Sequence, residues 1–135
     1  DNPLIDLYFK NDHLNDPLIT HKRILMLKIL NKVDLEFIEA LTLTINDLLK
    51  EFFNKIKLEL VDFKLEFGHN LEGEIVLADE ISPDNCRLWD LCTDDVKMKS
   101  LDKDRFRNDL GDLLEAYSEI KTRIDNFIYS KEKQN

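Results

Sequence analysis

The chain has 135 residues, with 19 Lys and Arg set against 28 Asp and Glu, a formal net charge of −9. That acidic balance argues against a nucleic-acid binder, which needs a surplus of Lys and Arg gathered on one face. A 43% hydrophobic share suffices for one core and argues against disorder, while charged or amide side chains cut every apolar run short of the roughly 20 residues of a membrane span, excluding a transmembrane protein.

The opening Asp1-Asn2-Pro3-Leu4-Ile5 has neither an initiator Met nor a signal-peptide profile, so the chain reads as a fragment. Three glycines and three prolines leave no internal linker, and residues 1–135 read as one domain. Leu4 to Lys10, β-branched and aromatic between Pro3 and Asn11-Asp12, predicts a short strand. His13 to Thr20 contains Asn15-Asp16-Pro17 and predicts a loop, because proline disfavours a helical residue before it; a short helix follows over His21 to Leu30. From Asn31, the residues Leu35, Ile38, Leu41, Ile45, Leu48, Leu49, Phe52 and Ile56 recur at helical spacing, predicting a helix of about six turns that ends near Lys55. Asn31 and Asp34 suit its N-cap and first turn.

The period then becomes two. Over Leu60 to Phe67, the residues Val61, Phe63, Leu65 and Phe67 share one face, with Asp62, Lys64 and Glu66 on the other. A turn at Gly68 to Gly73 and a returning strand over Glu74 to Ile81 complete an antiparallel hairpin, ended by Ser82-Pro83-Asp84. Pairing Phe67 with Glu74 sets Asp62 opposite Asp79 and leaves Glu66 about four residues, or roughly 13 Å, away along the strands unless a bulge or a shifted register intervenes. Ser82 to Asp90 looks too irregular for a helix and too polar for a core strand, which suggests a surface Arg87 beside a Trp89 anchored in the core. A polar connection from Asp90 to Ser100 leads to a second long helix with a stripe of Phe106, Leu110, Leu113, Leu114, Tyr117, Ile120, Ile124 and Phe127, and residues 131–135 should fray. Hairpin-ordered strands between long helices define an α+β fold, an antiparallel sheet with long helices packed on one face.

The hairpin gathers Asp62, Glu66, Asp79 and Glu80 with Lys64. Carboxylate oxygens are ligands that magnesium prefers, and it needs only one or two of them, while a lysine beside them can hold a phosphate or carboxylate. On spacing alone, a solvated face of alternating charges explains the pattern better. His13, His21 and His69 show no metal-ligand spacing, and no Walker loop, GxGxxG or serine elbow is present. Cys86 and Cys92 lack CxxC spacing and read as free thiols of a reducing compartment, with little to recommend either as a nucleophile.

Leu60 to Gly68, then Ala78-Asp79-Glu80-Ile81-Ser82-Pro83-Asp84, then Arg87-Leu88-Trp89-Asp90, strongly resemble the family of phosphoribosylaminoimidazole-succinocarboxamide synthase, or SAICAR synthetase. The likeness extends from Leu7 to Asp12 and Asp16-Pro17-Leu18 through Leu101 to Arg107. The resemblance implies a ligase of purine biosynthesis that uses ATP and Mg2+ to join L-aspartate to carboxyaminoimidazole ribonucleotide. It implies Glu66 and Asp79 as ligands of the Mg2+ bridging the nucleotide phosphates and Lys10 near the nucleotide. Lys64 and Arg87 would bind the ribonucleotide, Arg87 near its phosphate, with Asp16 and Asp62 lining the cleft, Asp16 as a substrate-binding residue and Asp62 as a catalytic one together with Lys64. The family's glycine-containing nucleotide loop and its Arg-x-x-x-x-Gly-Ser substrate motif are not in this sequence, so the chain reads as the carboxy-terminal portion, inactive alone, whose partner is the amino-terminal lobe. Homo-oligomers and a cytoplasmic location are also implied. The competing readings are an acidic interaction module without catalysis and a magnesium-dependent phosphohydrolase or nuclease built on Asp62-Phe63-Lys64.

Overall fold

The computed structural model describes residues 3–107 and 113–133. Backbone contacts divide the chain into two compact units, residues 1–45 with 69–76, and residues 46–68 with 77–135.

In the first unit the expected strand at Leu4 to Lys10 is only extended chain carrying one bridge, Tyr8 to Leu18, with the Phe9 amide donating to Pro17 O at 3.0 Å and the Ile19 amide to Leu7 O at 2.8 Å. The intervening loop forms as expected and holds a 3-10 turn over Asp12–Leu14, after which Asn15 and Asp16 take left-handed backbone (φ 54° and 45°). Asx side chains tolerate that region better than branched ones. Helix α1 spans His21–Met26, capped by Thr20, and is shorter than expected because the backbone turns left-handed at Lys28 (φ 54°). Helix α2 runs Lys32–Lys55, its residues from Asn46 onward counted with the second unit, and Asn31 is its cap, Oδ1 accepting from the Asp34 amide at 2.9 Å. Ile24, Leu35 and Ile38 are buried here. The predicted α2 stripe is not wholly inward: Leu48 is 61% exposed, and Phe53 is buried instead.

The second unit carries the main core. Strand β1, Leu58–Phe63, pairs antiparallel with β4, Cys86–Asp90. The segment judged too polar for a core strand is therefore half of the central ladder, with Cys86 and Leu88 pointing inward while Arg87 and Trp89 take the other side. Its polarity is that of a strand with one wet face. Trp89 is half-buried, with the Lys99 ammonium 4.7 Å from its ring centre, rather than sunk in the core. The ladder register passes from Leu60↔Leu88 to Asp62↔Arg87, so Val61 is an extra residue, a bulge. Before it the inward residues are Leu58 and Leu60; after it Phe63 packs on the core, and Val61 itself is 40% exposed. The unbroken alternation expected over Leu60 to Phe67 fails at that bulge and again at Lys64-Leu65, which belong to no strand.

Strands β2, Glu66–His69, and β3, Ile75–Ala78, form a separate two-stranded hairpin. Its turn closes between Asn70 and Glu74, the Asn70 amide donating to Glu74 O at 3.0 Å. The α+β class holds, with antiparallel ladders in two small sheets. After the short α3, Val96–Lys99, and α4, Asp104–Arg107, the last helix α5 spans Leu113–Glu132. Leu110 lies outside the described residues, and Leu114, placed in the expected stripe, is 78% exposed while Ala116 and Ile120 are buried. Of the tail expected to fray, Lys131 and Glu132 are still helical. Phe53, Ile56, Leu58, Leu60, Leu88, Leu101 and Ile120 make one hydrophobic cluster, with Phe52 set edge-on to Phe127 at 5.8 Å.

Candidate active-site cleft

The outer faces of β1 and β4, the turn after β3 and the start of α4 surround a cleft of about 340 Å³. Asp62, Lys64, Asp79 and Arg87 all line it. The bulge at Val61 turns Asp62 outward directly across the ladder from Arg87, whose guanidinium bonds the Asp62 carboxylate. Arg87 Nε also donates to Asp104 Oδ2 at 2.6 Å. That bond, with the two nearby carboxylates, holds the guanidinium even more firmly in its charged form than usual.

Leaving the ladder, the chain at Lys64 keeps one tie, its amide donating to Asn85 O at 2.8 Å. Its ammonium donates to Glu66 Oε1 at 2.6 Å and stands 3.5 Å from Asp79 Oδ2. The bond to Glu66 raises its pKa. The register set by the turn at Asn70 to Glu74 brings the first residue of β2 and the residue after β3 to the same end of the hairpin, so the expected opposition of Asp62 to Asp79 and the 13 Å gap to Glu66 do not occur. Asp79 sits at φ 67°, a left-handed conformation that for a residue with a Cβ costs about 1–3 kcal/mol and persists where the surroundings fix it.

The turn over Ser82 to Asn85 is cross-tied. Asn85 Oδ1 accepts from the Ser82 amide at 2.9 Å, Asn85 Nδ2 bonds Glu80 O, and Ser82 Oγ donates to Glu80 Oε1 at 2.9 Å. From α5, the Tyr117 hydroxyl donates to Asp84 Oδ1 at 2.8 Å, and burial together with that carboxylate pushes the phenol's pKa up, keeping it a donor. Asp102 underlies the cleft at 1% exposure. Its two oxygens accept from the Leu88 and Asp104 amides, each at 2.8 Å, while burial raises its pKa. Burial also pushes the Cys86 thiol up to about 11, so at neutral pH it is not a thiolate nucleophile.

Sequence reasoning therefore found Asp62, Lys64, Glu66, Asp79 and Arg87, and the fold brings them together in one unit. Asp102 and Asp104 were missed as parts of the cleft and Tyr117 as the support of its Asp84; the first two follow Leu101 in a stretch without periodic pattern, and Tyr117 reads as one member of an apolar stripe. Lys10 and Asp16 belong to the other unit, where Lys10 Nζ lies 3.3 Å from Asp16 Oδ2 and the Asn11 amide donates to Asp16 Oδ1 at 2.7 Å.

Fold and cleft together define an α+β protein whose clustered cations and carboxylates suit small anionic ligands held with a hard cation. The model of the SAICAR synthetase family matches residues 1–124, and the chain belongs to that family. It is 66% identical over 128 residues to a phosphoribosylaminoimidazole-succinocarboxamide synthase of Prochlorococcus marinus subsp. pastoris, covering 95% of this chain and 53% of the relative. Among solved structures it is similar to one described as SAICAR synthetase (Type-2) in complex with ADP, at 50% identity and a TM-score of 0.82 over 91% of this chain and 51% of that one. The Pyrococcus horikoshii OT3 SAICAR synthetase (Type-1) matches at 48% identity and a TM-score of 0.81, covering 92% and 52%. The chain spans about half the length of the curated relatives it matches. No helix among the described residues is long and apolar enough to cross a membrane.

Proposed function

We propose that this chain supplies the carboxy-terminal half of a SAICAR synthetase active site, within an enzyme that joins L-aspartate to carboxyaminoimidazole ribonucleotide at the expense of ATP. The observation that carries the reading is that Lys64, Asp79 and Arg87 line one cleft, with Glu66 meeting Asp79 on the Lys64 ammonium, in a chain belonging to this family. The ADP complex of a similar structure supports a nucleotide as co-substrate.

The chemistry suits these residue types. A carboxylate is a poor electrophile; transfer of the terminal phosphoryl group of ATP to a carboxylate oxygen of the ribonucleotide gives an acyl phosphate and ADP. The aspartate amine then attacks that carbonyl, phosphate leaves with the C–O bond pair, and the amine proton is lost to solvent or base. Positioning and charge neutralisation do most of this work. Lys64 holds the reacting carboxylate, and Arg87, kept in orientation by Asp62 and Asp104, holds the ribonucleotide phosphate. Glu66 and Asp79 already converge on one cation, the Lys64 ammonium, so their hard oxygens fit Mg2+, which takes one or two protein carboxylates and completes its shell with phosphate and water. When bound, the ion would neutralise the nucleotide phosphates. Lys10 and Asp16, in the other unit, are the residues that the family resemblance gives to the nucleotide and to the substrate. The missing amino-terminal lobe closes the cleft, its substrates place the enzyme in the cytoplasm, and it works as a homo-oligomer.

The test is to combine this chain with the separately produced amino-terminal half of the Prochlorococcus marinus relative and follow product mass. The expected result is ATP-dependent formation of the succinocarboxamide ribonucleotide by the mixture and none by the chain alone. Turnover by the chain alone would refute the half-site reading, and a folded, associated mixture without turnover would refute the ligase reading.

A further inference from the structure

Among the described residues three cations line the cleft, and two of them are already neutralised. Lys64 faces Glu66 and Asp79, and Arg87 is held between Asp62 and Asp104. Lys103 differs, because its ammonium makes no ion pair or hydrogen bond with the described residues. The reason is local. The Asp102 carboxylate on one side is spent inward on the Leu88 and Asp104 amides, and the Asp104 carboxylate on the other is drawn to Arg87 Nε. The base of Lys103 is nevertheless fixed, its amide donating to Pro83 O at 3.3 Å in the turn that carries the far side of the cleft.

An anion entering a cleft also lined by Asp62, Asp79, Glu80 and Asp84 meets repulsion, and only a cation without an internal partner offers it uncompensated charge. We propose that Lys103 is an anion receptor of this cleft, its ammonium taking a carboxylate or phosphate oxygen of a small-molecule substrate. The choice of ligands rests on the ligase reading. With Lys64 and Arg87 given to the ribonucleotide, Lys103 is the cation that remains for the carboxylates of L-aspartate among the described residues lining this cleft; the ribonucleotide phosphate is the other source of the same chemistry.

The test is titration of the chain with L-aspartate and, separately, with inorganic phosphate, followed by amide NMR shifts, for the wild type and for Lys103→Met, Lys103→Gln and Lys103→Arg. The expected result is saturable binding that weakens about tenfold in both neutral variants, the loss of one charge-assisted hydrogen bond, and is largely kept in Lys103→Arg, which retains the charge. Weakening confined to L-aspartate assigns the amino-acid carboxylate, and weakening confined to phosphate assigns the ribonucleotide phosphate. Neutral variants that bind both anions like the wild type, or a wild type that binds neither saturably, would overturn the proposal. Amide shifts outside the cleft report whether each variant is folded. No turnover is read in this titration, so failure of the ligase reading shows separately, in the product assay.

Discussion

Asp102 carries more of the cleft than its lack of any sequence signal suggests. Its carboxylate satisfies two backbone amides, one on β4 next to Arg87 and one at the start of α4. Replacing it with Asn leaves an amide nitrogen facing a buried N–H, because an amide has one acceptor where the carboxylate has two. Asp102→Asn should therefore lose about 1–3 kcal/mol of stability, the cost of an unsatisfied buried donor, read as a lower urea midpoint with unchanged slope. A buried carboxyl of raised pKa weakens folding as pH rises through that value, so the loss in the Asn variant should shrink toward neutral pH compared with mildly acid solution. Asp79 shows how one residue can combine recognition and conformation, since its carboxylate meets Lys64 from a left-handed backbone that Asp tolerates better than most residues.

At the scale of elements, periodicity located both long helices and the returning strand of the hairpin, but it gave that strand the wrong partner, since Leu58–Phe63 pairs with β4 and only Glu66–His69 pairs with β3, and it missed the departures from periodicity that build the cleft. The bulge at Val61 is a single inserted residue with no composition of its own, yet it reverses which side chains point inward and turns Asp62 to Arg87. Strand β4 was hidden because Arg87 and Asp90 make a five-residue segment look polar, although Cys86 and Leu88 hold its inner face. The end of α2 near Lys55 was legible, but the residue that turns the chain after it is Lys57 at φ 62°, where a glycine would have announced the stop. The α5–β4 contact was equally silent: Arg123 makes a two-pronged bond to Asp90, at 2.9 and 2.8 Å. That bond lowers the Asp90 pKa, despite its partial burial. A carboxyl held below its unfolded value of about 3.9 stabilises the fold above that pH and loses the contribution as pH falls through the folded value. Asp90→Asn should thus be less stable than the wild type at pH 7 by about 1–3 kcal/mol, read as a lower urea midpoint, with the difference shrinking as pH falls below about 3.9.

For the whole molecule, family and fold class were legible because the motifs that carry the resemblance are contiguous runs, and five of its proposed site residues fall within 26 positions, Asp62 to Arg87. The supporting partners were not, since Asp102 and Asp104 reach the cleft, and Tyr117 its Asp84, from chain distant in sequence. Under the proposed function, these side chains rather than general acidity are the working part of a ligase half-site. The most direct measurement is the turnover rate of the enzyme assembled from this chain and an amino-terminal half, compared between wild type, Lys64→Met and Arg87→Met, with association and folding of each assembly verified by sedimentation and amide NMR. The expected result is a fall of at least about a hundredfold in each variant, as removal of a charge aligned on the reacting groups produces, with assembly intact. Turnover within a few fold of the wild type in both variants would contradict the assignment of this cleft to the reaction.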